Sequence, residues 1–137
     1  MKILVNTDVV LNVLLDRRPY SADSAHVFRL IEEGLVSAML CAATITTLDY
    51  LLTQSLSRRD ARQYLVKLMR LFEIAPVNRA VIEAALESGI TDFEDAVLEQ
   101  SAAYSRADAV VTRNAKDFAR GSLQIFDPRQ FIALIEH

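Results

Sequence analysis

Short apolar segments alternate with amphipathic segments along this chain, and this alternation limits the folds open to it more than any other feature. The segments predicted to be strands are residues 2–5, 36–41, 73–75, 109–112 and 123–126. Between them apolar residues recur at helical spacing, most clearly over residues 61–72. Alternating strands and helices predict a parallel sheet covered on both faces, so we expect an α/β fold, a three-layer α/β/α sandwich.

The length and the composition favour a single domain. The chain has 137 residues, of which 52% are hydrophobic and 24% are charged. Single domains most often have about 100–150 residues. Only three glycines and three prolines are present, which excludes a disordered or collagen-like chain. We therefore expect residues 1–137 to form one domain with an ordinary core.

The scarce residue types exclude several kinds of site. Three glycines cannot supply a G-x-G-x-x-G turn or a phosphate-binding P-loop. One cysteine and two histidines are too few for a tetrahedral zinc site, and a lone cysteine forms no disulfide within the chain. The uncharged run over residues 34–47 is shorter than the ~20 apolar residues of a membrane-spanning helix, so we predict no membrane segment and a cytoplasmic location.

Polar side chains directly follow two of the predicted strands. Asn6 and Asp8 come after the first strand, and Asn114 and Asp117 come after the segment 109–112. In an open α/β sheet, ligands bind at the carboxyl ends of the strands where the strand order reverses. We therefore expect these two pairs to meet if the two strands are neighbours.

Further acidic residues are spaced along two predicted helices. Asp92, Asp95 and Glu99 lie at i, i+3 and i+7 on one helical face, and Asp49 lies alone in an apolar helical segment. A buried carboxylate is costly without a partner, and clustered carboxylates suit Mg²⁺ or Mn²⁺. Aspartates at helix starts also serve as caps and as partners of the helix dipole, and this alternative stays open for Asp8, Asp92 and Asp95.

Four segments, taken together, carry a family resemblance. They are residues 3–11 (ILVNTDVVL), 45–51 (ITTLDYL), 92–97 (DFEDAV) and 110–118 (VVTRNAKDF). In this order they resemble the PIN-domain family of nucleases, which includes the VapC-type toxins of bacterial toxin–antitoxin pairs. The resemblance covers nearly the whole chain and is greatest to the subgroup with an Asp-Phe-Glu-Asp segment.

The resemblance implies a sheet in the strand order 3-2-1-4-5 and hydrolysis of RNA assisted by Mg²⁺ or Mn²⁺. The catalytic residues that it implies are Asn6, Asp49, Asp95, Asn114 and Asp117. The metal ligands that it implies are Asn6, Asp8, Asp92, Asp95 and Asp117. It also implies a toxin that pairs with a cognate antitoxin protein, and a homodimer.

Residues beside these positions are candidates for binding the RNA substrate. The net charge of −3 gives no general reason to expect nucleic-acid binding, so the phosphate contacts must be local. Thr7 and Thr112 can donate hydrogen bonds to phosphate, and Arg113, Lys116 and Arg120 flank the same predicted crevice. A helix-cap role explains Thr7 equally well.

Asn6 departs from the usual family opening, which is Asp-Thr-Asn or Asp-Thr-Asp. A carboxamide keeps the shape and one oxygen of a carboxylate but lacks its charge, so we expect weaker metal binding and a weakened nuclease. One alternative is an inactive PIN-like module that binds RNA or protein. Another is a phosphatase of the haloacid dehalogenase type, whose D-x-D-x-T/V opening is imitated by Asn6-Thr7-Asp8. Asn6 stands where that family has its nucleophilic aspartate, and a carboxamide cannot attack phosphorus.

Overall fold

The computed structural model describes residues 1–118 and 123–136, in which strands and helices alternate. Arg120, one of the predicted phosphate contacts, lies outside these residues. The strands are β1 (Lys2–Val5), β2 (Ser37–Cys41), β3 (Glu73–Ala75), β4 (Ala109–Val111) and β5 (Gln124–Phe126). The helices are α1 (Thr7–Leu14), α2 (Ser21–Glu32), α3 (Ala42–Thr53), α4 (Arg58–Leu71), α5 (Arg79–Glu87), α6 (Phe93–Tyr104) and α7 (Pro128–Glu136). A short 3₁₀ turn, Ala115–Phe118, follows β4.

The strands form one parallel sheet in the order β3-β2-β1-β4-β5. β1 is central, because Leu4 pairs with Met39 of β2 on one side and with Val110 of β4 on the other. The chain moves outward from β1 in both directions, so the strand order reverses between β1 and β4. The predicted fold class and strand order are confirmed, and the reversal is where such sheets bind ligands.

Both faces of the sheet are buried under helices. Ile3 and Val5 face a core that they share with α1, α2, α3, α4 and α7, whereas Leu4 faces a second core with α5 and α6. Successive strand side chains point to opposite faces, so a run of consecutive apolar residues in β1 serves both cores. The molecule is the three-layer α/β/α sandwich that the alternation of segments predicted.

Helix α1 begins at Thr7 because Asn6 caps it. The backbone of Asn6 is extended, and its side-chain Oδ1 accepts a hydrogen bond from the N–H of Thr7 at 2.8 Å. This start places Asp8 in the first helical turn. The carboxylate of Asp8 therefore stays close to the ends of the strands.

Helix α2 ends at Glu32, and Gly34 directly follows its C-cap residue, Glu33. Gly34 has a φ of +78°, a left-handed conformation, and the N–H of Leu35 donates to the carbonyl of Leu30 at 3.1 Å to close the turn. Within residues 1–118 and 123–136, no helix has the length and apolar character needed to cross a membrane.

Candidate active site

β1 and β4 end side by side, and the polar residues that follow them meet at this edge of the sheet. Val5 pairs with Val111, and the N–H of Asn6 donates to the carbonyl of Val111 at 3.0 Å. The side chain of Asn114 reaches Asp8 across this junction, with Nδ2 donating to Oδ2 at 3.1 Å. The structure thus brings Asn6, Asp8 and Asn114 together.

The hydroxyl of Thr112 is the centre of this junction and is fully buried. Its Oγ1 accepts hydrogen bonds from Nδ2 of Asn6 at 3.0 Å and from the N–H of Asn114 at 3.1 Å. It donates its proton to Oδ2 of Asp8 at 3.2 Å. A hydroxyl has one proton and two lone pairs, so these three bonds use its full capacity. The network requires a donor at residue 6 and an acceptor at residue 8.

The carboxylate of Asp8 connects the start of α1 to the loop after β4 through hydrogen bonds. Its Oδ1 accepts from the N–H of Val9 at 2.7 Å, and its Oδ2 also accepts from the N–H of Arg113 at 3.0 Å. Burial raises the pKa of Asp8 above its ordinary value, and its hydrogen bonds and the charge of Arg113 oppose that rise. Asp8 is therefore a partly buried carboxylate whose oxygens already accept four hydrogen bonds.

A cleft of about 660 Å³ opens between the start of α6 and the 3₁₀ turn, and its wall contains three acidic residues and a lysine: Asp92, Asp95, Asp117 and Lys116. Asp92 caps α6, because its Oδ1 accepts from the N–H of Asp95 at 3.0 Å. The N–H of Asp117 donates to the carbonyl of Asn114 at 2.9 Å, which connects the cleft to the Thr112 network. Three of the predicted metal-ligand residues line one cavity.

The carboxylates in and around the cleft repel one another. The pKa of Asp95 is raised from 3.8 to about 6, first because its side chain is partly buried and then because four other carboxylates repel its charge. In order of effect, these neighbours are Asp92, Asp117, Glu94 and Asp8. Lys116 is the one basic side chain against three aspartates in the wall of the cleft, so negative charge is in excess there, and a divalent cation would relieve the repulsion.

The chemistry of these donors fits Mg²⁺ or Mn²⁺, which prefer carboxylate and carbonyl oxygens. Among residues 1–118 and 123–136, no three acidic, histidine or cysteine side chains are close enough as they stand to hold one ion. Asp92 and Asp117 are exposed and Asp95 is half-buried, so their side chains can turn toward a common ion without disturbing the core. The cleft therefore suits a hard divalent cation after rotation of surface side chains.

Replacing Asp95 with Asn should stabilise the metal-free protein at neutral pH. The pKa of Asp95 is about 6 in the folded protein and 3.8 in the unfolded chain, so the folded state binds the proton more tightly. In EDTA, the free energy of unfolding should fall as the pH rises from about 4 to about 6. After allowance for solvent screening at this half-buried site, we expect Asp95→Asn to gain about 1 kcal/mol in a thermal unfolding measurement.

Asp60→Asn is the matched control for this measurement. Asp60 occupies the same position in α4 as Asp95 does in α6: its N–H donates to the capping side chain of Ser57, as that of Asp95 donates to Asp92. Both substitutions remove the same interaction with a helix dipole, so the difference between them reports the cost of burying the Asp95 charge among the carboxylates of the cleft. Equal changes in melting temperature would contradict that cost.

Three further predicted site residues have side chains that neither line the acidic cleft nor bind to Thr112. Asp49 lies in α3, and its Oδ1 accepts from Nε of Arg62 in α4 at 3.3 Å. Thr7 is the first residue of α1 and donates its N–H to the capping side chain. The guanidinium of Arg113 lies over an aromatic ring in a neighbouring cavity. The catalytic or substrate-binding roles of these residues stay predictions.

The loop between α5 and α6 contributes to the cleft, although the sequence analysis did not select it. Gly89, Ile90 and Thr91 line the cleft. The N–H of Ile90 donates to Oγ of Ser88 at 3.1 Å, which shapes the loop. Its only signal in the sequence is its place directly before Asp92, the cap of α6.

A parallel sheet in this order, with carboxylates gathered where the strand order reverses, defines an α/β protein of the PIN type. The family model described as PIN domain matches residues 2–116, and the chain belongs to the PIN-domain family. PIN domains are generally nucleases that use divalent metal ions. Family membership therefore excludes the haloacid dehalogenase alternative. No curated protein sequence matches the chain.

Solved structures share this fold at low sequence identity. VapBC2 from Rickettsia felis, bound to a DNA fragment from its promoter, is 15% identical with a TM-score of 0.72, over 93% of this chain and 98% of that chain. FitAcB from Neisseria gonorrhoeae is 19% identical with a TM-score of 0.69, over 93% and 98% of the two chains. VapBC-1 from nontypeable Haemophilus influenzae is 16% identical with a TM-score of 0.68, over 94% and 99%. At these identities the likeness establishes the fold.

Proposed function

We propose that this protein is a metal-dependent endoribonuclease that hydrolyses phosphodiester bonds in RNA. The observation that carries the proposal is the cleft in which Asp92, Asp95 and Asp117 lie with Lys116, at the carboxyl edge of a PIN-family sheet. Carboxylates supply the oxygen ligands of a hard cation, and a lysine supplies a contact for phosphate. RNA as the substrate is part of the proposal.

In this proposal Asp92, Asp95 and Asp117 hold Mg²⁺ or Mn²⁺, with Asn6 and Asp8 beside them at the end of β1. When bound, such an ion activates water and neutralises negative charge on the phosphate. Asp95 lies at the centre of the repelling carboxylates, so its loss should weaken metal binding most.

Other residues of the chain hold these groups in place. Asn114 donates Nδ2 to Asp8 at 3.1 Å, and its carbonyl accepts the N–H of Asp117 at 2.9 Å, so it joins two acidic residues. Thr112 holds Asn6 and Asp8 through its saturated hydroxyl. We therefore propose Asn114 and Thr112 as positioning residues. Lys116 lines the cleft, and in this proposal its ammonium pairs with a phosphate oxygen of the substrate.

Cleavage of a mixed-sequence, fluorescently labelled RNA tests the proposal. We expect cleavage by the protein with Mn²⁺ or Mg²⁺ and none with EDTA. Heat-denatured protein with the same metals controls for cleavage by contaminants and by the ions. No cleavage in either metal would contradict the proposal.

A second candidate function is an RNA-binding module that does not cut its ligand. Two observations favour it: the side chain of Asn6 is neutral, and Asp8 already accepts four hydrogen bonds. Both reduce the negative charge that is available to a cation. RNA binding of equal strength in EDTA and in Mn²⁺, without cleavage in either, would support this candidate.

We also propose that the chain is the toxin of a toxin–antitoxin pair, because VapBC and FitAB complexes share its fold. A groove of about 320 Å³ between α1, α2 and α4 is lined by apolar side chains, including Leu14, Phe28 and Leu68, and by two basic residues and one acidic residue: Lys67, Arg70 and Glu32. An amphipathic antitoxin helix with acidic residues at its edge would complement this groove. A homodimer and a cytoplasmic location stay predictions, and sedimentation velocity tests the first.

Induced expression in a bacterial host should slow growth if the chain is a toxic nuclease. We expect the Asp95→Asn variant to restore the growth rate to that of cells with an empty vector, because the variant lacks a central acidic residue of the cleft. Immunoblots would establish that the two proteins accumulate equally. Equal slowing by both proteins would contradict a toxicity that depends on cleavage.

A further inference from the structure

A second cavity, of about 370 Å³, lies at the same edge of the sheet as the acidic cleft but on the opposite face. It is formed by the segment before α2, the start of α7 and the loop after β4, and its lining includes Tyr20, Asp23, Arg113 and Arg129. Helices α2 and α7 cover one face of the sheet, whereas α6, which borders the cleft, covers the other. The two cavities meet at the loop that follows β4.

Arg113 connects the two cavities. Its backbone N–H donates to Oδ2 of Asp8 at 3.0 Å, inside the network beside the cleft. Its guanidinium carbon lies 3.0 Å from the centroid of the Tyr20 ring, a distance too short for an edge contact, so the group lies over the ring face. A residue anchored in the proposed active site thus places a planar cation in the adjoining cavity.

Tyr20 is held in place but open to solvent. Its N–H donates to the carbonyl of Arg17 at 3.0 Å, and its carbonyl accepts the N–H of Ser24 at 3.1 Å, so its backbone belongs to the start of α2. The residue nevertheless remains 43% exposed. This exposure, in the cavity that adjoins the acidic cleft, leaves aromatic surface on which a flat ligand can stack.

The other charges of the cavity are already matched within it. Nε of Arg129 lies 3.4 Å from Oδ2 of Asp23. Asp127 caps α7, with Oδ1 accepting the N–H of Gln130 at 2.8 Å. Two acidic and two basic residues give the cavity little net charge, which suits a base better than a phosphate.

We propose that Tyr20 and Arg113 form a base-stacking subsite, which binds one nucleobase of a single-stranded RNA whose phosphate lies in the neighbouring acidic cleft. Bases stack on tyrosine rings and on guanidinium planes, and an arginine over a tyrosine offers both surfaces. The inference rests on the proposed ribonuclease function for the identity of the ligand. It assigns to Tyr20 a role in substrate binding that its sequence context did not suggest.

A single tryptophan at residue 20 provides the test, because the chain contains none. We expect the emission of the Tyr20→Trp variant to be quenched when a short single-stranded oligoribonucleotide is added in EDTA, where no cleavage occurs. Tyr104→Trp is the matched control. Tyr104 is 54% exposed and ends α6, and Nζ of Lys2 donates to the next carbonyl, that of Ser105, which places Tyr104 at the opposite edge of the sheet. Its emission should not change.

Fluorescence anisotropy of labelled RNA measures how much Tyr20 contributes to the affinity for RNA. We expect Tyr20→Leu to raise Kd about tenfold, because it keeps apolar bulk but removes the aromatic face. Tyr20→Phe should bind within about twofold of the parent protein, since the phenol oxygen is not needed for stacking. Thermal unfolding of each variant establishes that it is folded before binding is compared.

The outcomes separate this inference from the proposed function. Quenching at residue 20 with a tenfold loss of affinity in Tyr20→Leu, but no cleavage in any metal, would support the subsite and contradict the nuclease. Cleavage by the parent protein, with RNA binding and KM unchanged in Tyr20→Leu, would overturn the subsite and leave the nuclease intact. Unchanged emission of Tyr20→Trp at saturating RNA would also overturn the subsite.

Discussion

The Asp95→Asn variant should cleave RNA about 100-fold more slowly than the parent protein, or worse, although it should unfold at a higher temperature in EDTA. Both effects have one cause. Partial burial and then repulsion by four neighbouring carboxylates raise the pKa of Asp95 to about 6, so the charge at this position costs stability without a cation and contributes to cation binding when one is present. The measurement is the initial rate on one fluorescent RNA over a series of Mn²⁺ concentrations.

The metal series distinguishes a lost ligand from a damaged fold. We expect the residual activity of Asp95→Asn to require more Mn²⁺, and added Mn²⁺ to raise the melting temperature of the parent more than that of the variant. Asp60→Asn, the helix-position control, should keep the parent rate. A rate for Asp95→Asn within about threefold of the parent would contradict the proposed role of this carboxylate.

Asp49→Asn belongs in the same series, because the family resemblance places Asp49 among the catalytic residues. In the structure its carboxylate pairs with Arg62 at 3.3 Å, away from the wall of the cleft. A rate near that of the parent would assign Asp49 to the contact between α3 and α4. A loss as large as that of Asp95→Asn would restore the catalytic role.

The second large effect is expected from Asn6→Asp. A carboxylate at residue 6 adds negative charge beside the acidic cleft, so we expect tighter Mn²⁺ binding and cleavage about tenfold faster at low Mn²⁺. The same substitution conflicts with the directions of the hydrogen bonds at Thr112. The new carboxylate needs a proton where Asn6 now donates one, and the single proton of Thr112 already goes to Asp8. We therefore expect a loss of about 1–3 kcal/mol in EDTA.

Exchanging the residue types at Asn6 and Asp8 tests the hydrogen-bond directions assigned to Thr112. The double variant Asn6→Asp with Asp8→Asn keeps the net charge of the parent, and the proton of Thr112 can turn to residue 6. We expect the double variant to recover part of the stability lost by Asn6→Asp while keeping its faster cleavage. Thermal unfolding in EDTA and rates at low Mn²⁺ measure the two properties.

The opposite results would have clear meanings. If the double variant cuts RNA more slowly than the parent, the carboxylate at Asp8 is the functional one, and Asn6 is not a weakened ligand. If Asn6→Asp is as stable as the parent in EDTA, the hydrogen-bond directions assigned to Thr112 are wrong. Neither result depends on the identity of the natural RNA target.

Much of the fold could be predicted, because strands and helices are specified by local patterns. β1 follows from three consecutive apolar residues directly before Asn6, and Gly34 marks the end of α2. Asn6, Thr7 and Asp8 are all residue types that cap helices, and the structure shows that Asn6 is the cap, so α1 begins at Thr7. The polar residues after β1 and β4 were selected from their positions alone, and the strand order brings them together.

The sequence by itself determined the alternation of strands and helices, the α/β/α layers and the acidic residues available to a cation, because periodicity and composition are properties of short segments. Only the tertiary structure decided which side chains lie together. Asp49 pairs with Arg62, and the guanidinium of Arg113 lies over the ring of Tyr20 and not in the acidic cleft. The tertiary structure also decided the direction of the hydrogen bonds at Thr112. All of these contacts join residues more than ten positions apart, and three of the four join residues more than ninety positions apart. No local pattern specifies them, because they depend on where helix packing and strand order place each side chain.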